Sequence, residues 1–219
     1  MNYTTLFETI KGYVENDFPN TTWTDTTNNS GDFTGKEQVD TFIKQAEQRI
    51  YNGVQILDLR KNVTGAVTTS NKYVTLPTDW LATYSLAVVD GDGAYSYLLN
   101  KDVNYIREAF PTPTDTGLPT HYGTFDKNSL IVGPTPDSTY TVELHYFYYP
   151  ETIVTATNTW LGDNFDSVLL YGALLEAYTF MKGEQDVIAN YQKRYDEALA
   201  QLKMQAEGKN RKDMYRTAQ

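Results

Sequence analysis

Hydrophobic positions recur with a helical period at both ends of this chain and with a two-residue period between them. Near the N-terminus, apolar residues at helical spacing predict one helix over residues 6–16 and another over residues 36–51. Near the C-terminus, the same spacing predicts helices over residues 163–182 and 185–205. The chain should therefore begin and end with a pair of amphipathic helices.

Capping signals mark several ends of these helices. Thr5, followed three residues later by Glu8, has the pattern of a capping box. Asp163 is a suitable N-cap for the third helix, and Gly183 stands where a C-cap glycine is expected. The short connection between the last two helices predicts that they are antiparallel neighbours.

The middle of the chain alternates β-branched or aromatic residues with polar ones, between turn signals. Predicted strands cover residues 63–68, 72–76, 84–90, 95–98, 121–125, 129–132 and 140–149, with a short helix over 103–110 and a loop over 20–35. The first two strands flank Thr69-Ser70-Asn71, and the fifth and sixth flank Asp126-Lys127-Asn128. Each of these two pairs predicts a hairpin.

These elements predict an α+β fold in which two N-terminal and two C-terminal helices form a four-helix bundle with a β-rich insertion. The bundle should comprise residues 1–59 and 159–205, and the insertion residues 60–158. Residues 206–219 should form an extended C-terminal arm. The predicted bundle core includes Phe42, Ile43, Leu170, Leu174, Ala177, Tyr191 and Leu199.

Charge is distributed unevenly along the 219 residues, whose net charge is −10. Residues 203–219 contain five Lys or Arg side chains against two carboxylates, so the remainder is strongly acidic. An acidic body disfavours binding to the outside of DNA, and a basic tail suits docking onto an acidic partner. The alternative is a solvated C-terminus. The candidate contact residues for a partner or a neighbouring copy are Lys203, Lys209, Arg211, Lys212, Tyr215 and Arg216.

Reactive chemistry is sparse in the sequence. There is no Cys, which excludes disulfides and Cys-based metal or redox sites. Of the two His residues, His145 lies two positions from Glu143, and a surface contact explains that spacing better than a metal site. No nucleophile elbow or phosphate-binding loop is present, and no apolar run is long enough for a membrane span. We therefore expect no enzymatic activity, no cofactor and no membrane association.

Several segments, in order, resemble those of one family. They are the segment 73–81 (YVTLPTDWL), the segment 117–122 (GLPTHY), the segment 130–137 (LIVGPTPD), the strand 140–146 (YTVELHY), Trp160-Leu161 and the helix segment 169–177 (LLYGALLEA). Over about residues 36–205 the chain resembles the head-to-tail adaptor proteins of short-tailed bacteriophages. The resemblance implies a virion protein at the head–tail interface, assembled in the host cytoplasm.

The resemblance also implies partners. Copies of such adaptors, usually twelve, form a ring below the portal protein, with the helical bundle packed against neighbouring subunits. The C-terminal segment extends onto the portal or an adjacent subunit, and the β-rich region faces the tail nozzle protein. DNA passes through the central channel without sequence-specific binding. The polar loops and negative net charge predict a free protein that is monomeric until it meets the portal.

Two other functions remain open at this point. A carbohydrate-binding tail component for host recognition would stack sugars on aromatic faces, for which Tyr95, Tyr97, Tyr146 and Tyr148 are candidates. A polysaccharide-degrading tail enzyme would need a pair of carboxylates, and nothing in the sequence singles one out among 28 acidic residues.

Overall fold

The computed structural model describes residues 1–24, 30–56 and 59–209. Within these residues it has an α+β architecture with seven helices and ten strands, as the class prediction requires. The helices are α1 Tyr3–Val14, α2 Gly35–Gly53, α3 Val103–Ala109, α4 Ile153–Ala156, α5 Trp160–Asn164, α6 Asp166–Phe180 and α7 Gln185–Lys209. The strands are β1 Thr21–Thr24, β2 Ser30–Phe33, β3 Arg60–Val67, β4 Tyr73–Thr75, β5 Ala82–Val89, β6 Tyr95–Tyr97, β7 Leu99–Asn100, β8 His121–Thr124, β9 Ser129–Gly133 and β10 Tyr140–Phe147.

The chain forms two compact units. The helical unit comprises Met1–Asp58 and Pro150–Gln219, and the β unit comprises Leu59–Tyr149. In the helical unit, α6 packs against α1, α2 and α7. Its side chains Leu169, Ala173 and Leu174 are almost completely buried, as expected for a helix surrounded by others.

Neither of the two N-terminal helices begins at a predicted cap. Asn2 caps α1 by accepting a hydrogen bond from the Thr5 N–H, so the predicted capping box at Thr5 and Glu8 is wrong. A capping box does form at α2, where Thr34 and Glu37 bond each other's backbone N–H groups. The predicted loop over 20–35 contains the antiparallel pair β1 and β2.

The C-terminal helices also differ from the prediction. Thr159 caps α5, and the helical path breaks at Phe165, so Asp163 lies inside a separate short helix. At the end of α6 it is Lys182 that adopts the left-handed conformation, with φ of 56°, rather than Gly183. The last helix continues to Lys209, so residues 206–209 of the predicted extended arm are helical.

The β unit is a sandwich of two four-stranded sheets, in the orders β3-β10-β5-β6 and β4-β9-β8-β7. Strand β10 lies between β3 and β5, and its alternate residues Val142, Leu144 and Tyr146 face the core. The predicted hairpin of β8 and β9 is confirmed. The predicted hairpin of β3 and β4 is wrong, because the two strands pair with β10 and β9 in different sheets.

The two sides of the sandwich are closed differently. On one side, the segment Tyr95–Asn100 pairs with β5 through β6 and then with β8 through β7, so one stretch of chain borders both sheets. On the other side, β3 and β4 are the outer strands of their sheets and do not pair with each other. The sandwich is therefore closed along one edge and open along the opposite edge.

A buried carboxylate in the helical unit couples its stability to pH. Glu47 on α2 accepts hydrogen bonds from the Thr152 hydroxyl and the Ile153 N–H, at the start of α4. Burial raises the pKa of Glu47 above its ordinary value of 4.5, although both hydrogen bonds oppose that shift. The folded state therefore binds a proton at Glu47 more tightly than the unfolded state does.

We expect stability to reflect this shift. The folded-state pKa of Glu47 is raised, so the stabilisation that its protonated carboxyl group provides is fully present below pH 4.5. This stabilisation is lost as pH rises through the raised pKa. The unfolding free energy of the wild type should therefore fall relative to that of Glu47→Gln across this range, measured by urea unfolding. Glu37 is the control of opposite sign, since the Thr34 hydrogen bonds lower its pKa. The difference in unfolding free energy between the wild type and Glu37→Gln should change with pH in the opposite direction. A change in the same direction as for Glu47→Gln would contradict the assignment.

Candidate functional site

The two histidines lie on the β unit in different surroundings. His145 Nε2 is 3.2 Å from Glu143 Oε1, and Asn62 donates to the same carboxylate oxygen over 2.8 Å. Hydrogen bonds from Asn62 and Tyr95 lower the pKa of Glu143. His121 lies beside the rings of Tyr105 and Phe110. Across the described parts of the chain, no group of three or more His, Asp or Glu side chains is arranged to hold a metal ion.

A cluster of tyrosines covers one surface of the helical unit. Its centre is Tyr191 on α7, whose ring lies 5.1 Å from that of Tyr178, 6.2 Å from that of Tyr171 and 6.5 Å from that of Tyr13. Arg194 donates to the Tyr171 hydroxyl over 3.1 Å. Burial, with a hydrogen bond to Tyr178, raises the pKa of Tyr191 to about 12. Tyr and Arg are the side chains most enriched at protein interfaces.

A second aromatic surface of the helical unit is a shallow groove of about 280 Å³ between α2 and the end of α6. Phe42 forms its floor, with its ring centroid 5.4 Å from that of Phe180 and 5.5 Å from that of Phe18. Phe180 remains 56% exposed, and Phe33 at the rim is also exposed. The groove thus presents apolar area that the described residues leave in contact with water.

The open edge of the β unit contains a larger cleft, of about 520 Å³, which we call the edge cleft. It is lined by Val63 and Gly65 of β3, by Val74 of β4, and by Val142 and Leu144 of β10. Val63 and Gly65 pair with Leu144 and Val142 and share their inward-facing side of the sheet. Val63 is nevertheless 38% exposed, because no strand fills the space between β3 and β4.

The closed edge presents the opposite shape. Tyr95, Tyr97 and Leu99 are 55%, 70% and 61% exposed, whereas Leu98 between them is only 7% exposed. The alternation of a strand therefore directs three large side chains away from the core. We call Tyr95, Tyr97 and Leu99 the tyrosine ridge.

The predicted site residues are distributed as follows. Phe42, Ile43, Leu170, Leu174 and Ala177 are buried, whereas Tyr191 and Leu199 on α7 are only partly buried. Lys203 is exposed on α7, and Lys209 is the last residue of that helix. The remaining predicted contacts lie outside the described residues: Arg211, Lys212, Tyr215 and Arg216.

The tyrosines proposed to stack on sugars do not form one surface. Tyr146 is 1% exposed in the sandwich core, where its hydroxyl donates to Asp79 over 2.9 Å. Tyr13, Tyr171 and Tyr178 are not among the candidates predicted from sequence. Their signal was available, because Tyr171 and Tyr178 are seven residues apart and therefore share one face of α6.

Comparison with known proteins places the whole chain in one group. Residues 1–218 match the family described as SU10 adaptor protein. No curated protein matches the chain. Among the helices in the described ranges, none is both long and apolar enough to cross a bilayer.

Proposed function

The chain belongs to the SU10 adaptor protein family, and from this we propose that it is a ring subunit joining the portal to the tail nozzle of a bacteriophage. Membership makes it a structural phage protein, a component of the virion that interacts with other head and tail proteins. The ring, its position and its individual partners are the proposal. The observation that carries it is the extent of the match, which includes both units and most of the basic tail.

The exposed surfaces support an assembly role. The tyrosine cluster, the Phe42–Phe180 groove and the tyrosine ridge all leave aromatic area in water. Aromatic side chains anchor protein interfaces because they bury much area at little cost in conformational entropy. Several such surfaces on one small chain suit a subunit that touches more than one neighbour.

Within the ring, we assign the helical unit to contacts with neighbouring subunits. Helices α1, α2, α6 and α7 would act as one four-helix bundle with the buried Ile43, Leu174 and Ala177 at its centre. The exposed Lys203 and the basic residues that follow would bind the portal. Twelve copies would match the ring size that the family resemblance implies.

The electrostatic character suits a channel that DNA crosses. The net charge of −10 repels the phosphate backbone, so DNA would move past the ring without adhering to it. This repulsion does not depend on base sequence. The proposed function therefore requires no nucleic-acid recognition site.

Imaging of assembled particles tests the proposal directly. Portal rings from the same phage, mixed with excess purified chain, should show a second ring of twelve subunits stacked on one end of the portal. The chain alone and the portal alone serve as controls under the same buffer conditions. Bare portal rings at saturating concentrations of the chain would overturn the proposal.

A further inference from the structure

We propose that the segment from Thr152 to Asn158, which contains α4, is a conformational switch that is strained in the free chain and relaxes when the chain joins the ring. We call it the switch segment. This inference rests on the proposed ring and concerns only residues of the helical unit. Three observations support it: a strained turn at one end of α4, a buried carboxylate at the other, and the shortness of α4 itself.

The first observation is the strained turn at the end of α4. Thr157 has φ of 67° and ψ of −41°, and the Asn158 N–H donates to the Ala156 carbonyl over 2.8 Å. These angles, with a hydrogen bond between residues i and i+2, define the γ-turn of positive φ, which is rare and strained. A β-branched residue with positive φ is an outlier, because its side chain crowds the backbone. The turn is therefore costly at Thr157.

The strained conformation is imposed by contacts outside the turn. The Thr157 N–H donates to the Ile153 carbonyl over 3.0 Å, and the Thr157 carbonyl accepts from the Tyr3 N–H over 2.9 Å. One backbone group is thus fixed by α4 and the other by the start of α1. The Thr157 side chain is exposed, so its own burial does not offset the cost. Strain that persists because surrounding contacts impose it is typical of switch regions.

The second observation is the buried carboxylate at the start of α4. Glu47 is 3% exposed and accepts hydrogen bonds from the Thr152 hydroxyl and the Ile153 N–H. Removing a carboxyl group from water costs free energy, and these hydrogen bonds offset that cost only in part, because burial still raises the pKa of Glu47. A second costly feature therefore acts on the same helix.

The third observation is the shortness of α4. Ile153–Ala156 is a single turn, and a helix of this length is not stable without tertiary contacts. Helix α4 packs against α2 through Ile153, which is completely buried. Residues 154–158 are exposed or only half-buried. Little apolar burial therefore opposes a change in the conformation of this segment.

These features converge on seven consecutive residues of the helical unit. Proteins depart from local structural preferences mainly at functional sites, where the rest of the fold compensates for the cost. Loss of the hydrogen bond between Tyr3 and Thr157 would allow Thr157 to return to negative φ. The strain released would then favour the relaxed state over the state of the free chain. The switch segment would thereby couple entry into the ring to a change in the helical unit.

Hydrogen exchange of the wild-type chain, followed by mass spectrometry, tests the change itself. The full chain is measured free and as rings on portal from the same phage. Deuterium uptake by residues 152–158 should be at least about threefold faster in the rings, because the amides of Thr157 and Asn158 lose their hydrogen bonds. The buried residues 168–175 of α6 are the internal control and should exchange equally in both states. Equal or slower uptake by the switch segment in the rings would overturn the proposal.

Thr157→Gly tests the strain. Glycine adopts positive φ without crowding, so this variant should raise the melting temperature of the free chain by about 2–4 °C. Because only the strained conformation gains stability, the concentration needed to load portal rings should rise about fivefold. Thr157→Val keeps a β-branched side chain at this exposed position and should match the wild type in both measurements.

Ser70→Gly is the matched control for strain elsewhere in the chain. Ser70 also has positive φ, of 62°, but it lies in the β unit. Its replacement should raise the melting temperature without changing the loading of portal rings. Normal loading by a stabilised Thr157→Gly would overturn the switch. A melting temperature of Thr157→Gly no higher than that of the wild type would overturn it as well.

Imaging of the same samples separates this inference from the proposed function. Wild-type rings on the portal, with unchanged exchange of residues 152–158, would eliminate the switch and leave the ring subunit function intact. Absence of wild-type rings at saturating concentrations would overturn the proposed function, and this inference with it. Rings in which the switch segment exchanges faster support both.

Discussion

Gly35→Ala should lower the free energy of unfolding by about 3 kcal/mol, the largest stability change that we expect from a single methyl group in this chain. Gly35 is the first residue of α2, and its N–H donates to the Asn20 side chain over 3.1 Å. A Cβ at this position would overlap the carbonyl oxygen of Phe18 and approach that of Asp17 to 2.7 Å. Backbone atoms cannot rotate away from this clash as a flexible side chain could.

Gly12→Ala is the matched control. Gly12 lies inside α1 with no atom within 4 Å of an added Cβ, so alanine should raise stability by about 0.5–1 kcal/mol. Urea unfolding followed by circular dichroism measures both variants. Similar stabilities for Gly35→Ala and Gly12→Ala would show that the Phe18 carbonyl does not approach α2 closely.

Deletion of residues 210–219 should abolish capture of the chain by portal rings while leaving its melting temperature unchanged. The deletion removes three cations of the proposed portal contact, Arg211, Lys212 and Arg216. The cut falls after Lys209 because α7 continues to that residue, and Ala206 in its last turns is buried. A deletion that began at residue 206 would shorten α7. Lost binding to the portal could then not be distinguished from lost stability.

The charge contribution is tested separately. Replacing Arg211, Lys212 and Arg216 together by Gln keeps the length of the tail and removes three positive charges. This variant should bind portal rings more weakly, and its binding should depend less steeply on salt concentration than that of the wild type. Pull-down of the deletion variant at wild-type yield would exclude the C-terminal residues as the portal contact.

Periodicity predicted those elements whose burial is regular along the chain. The alternation of Val142, Leu144 and Tyr146 identified β10 and its buried face, and the helical spacing around Ile43 identified α2. In both, one face of the element meets a continuous core. For such elements, the local hydrophobic pattern matches the pattern of burial in the folded protein.

Prediction failed where a local signal had more than one structural use. The turn at Thr68–Asn71 forms, with the Asn71 N–H bonded to the Thr68 carbonyl, but it carries the chain from one sheet to the other. A hairpin and a crossover need similar turn residues, and only the strand partners distinguish them. The break at Phe165 likewise falls among Gly, Asp, Asn and Ser residues, which suit the cap of a single helix as well as a break between two helices.

The candidate contact surfaces were partly visible in the sequence. The sequence contains 18 Tyr residues, but which of them are exposed depends on pairings between distant strands. Tyr146 and Tyr97 both lie on strands, yet one is 1% and the other 70% exposed. The edge cleft depends on the absence of pairing between β3 and β4, and such an absence has no local signature.

The pairing of the first and last strands of the β unit bears on how the whole chain folds. Strand β3 pairs with β10 from Arg60 to Val67, and the Tyr148 N–H bonds the Leu59 carbonyl over 3.0 Å. Once these two strands have paired, the two ends of the β unit lie next to each other. Helices α2 and α6 are far apart in sequence. After this pairing, the effective loop that must close to bring them together is short. Since each halving of a flexible loop saves about 0.6 kcal/mol of closure entropy, early folding of the β unit should accelerate assembly of the helical unit.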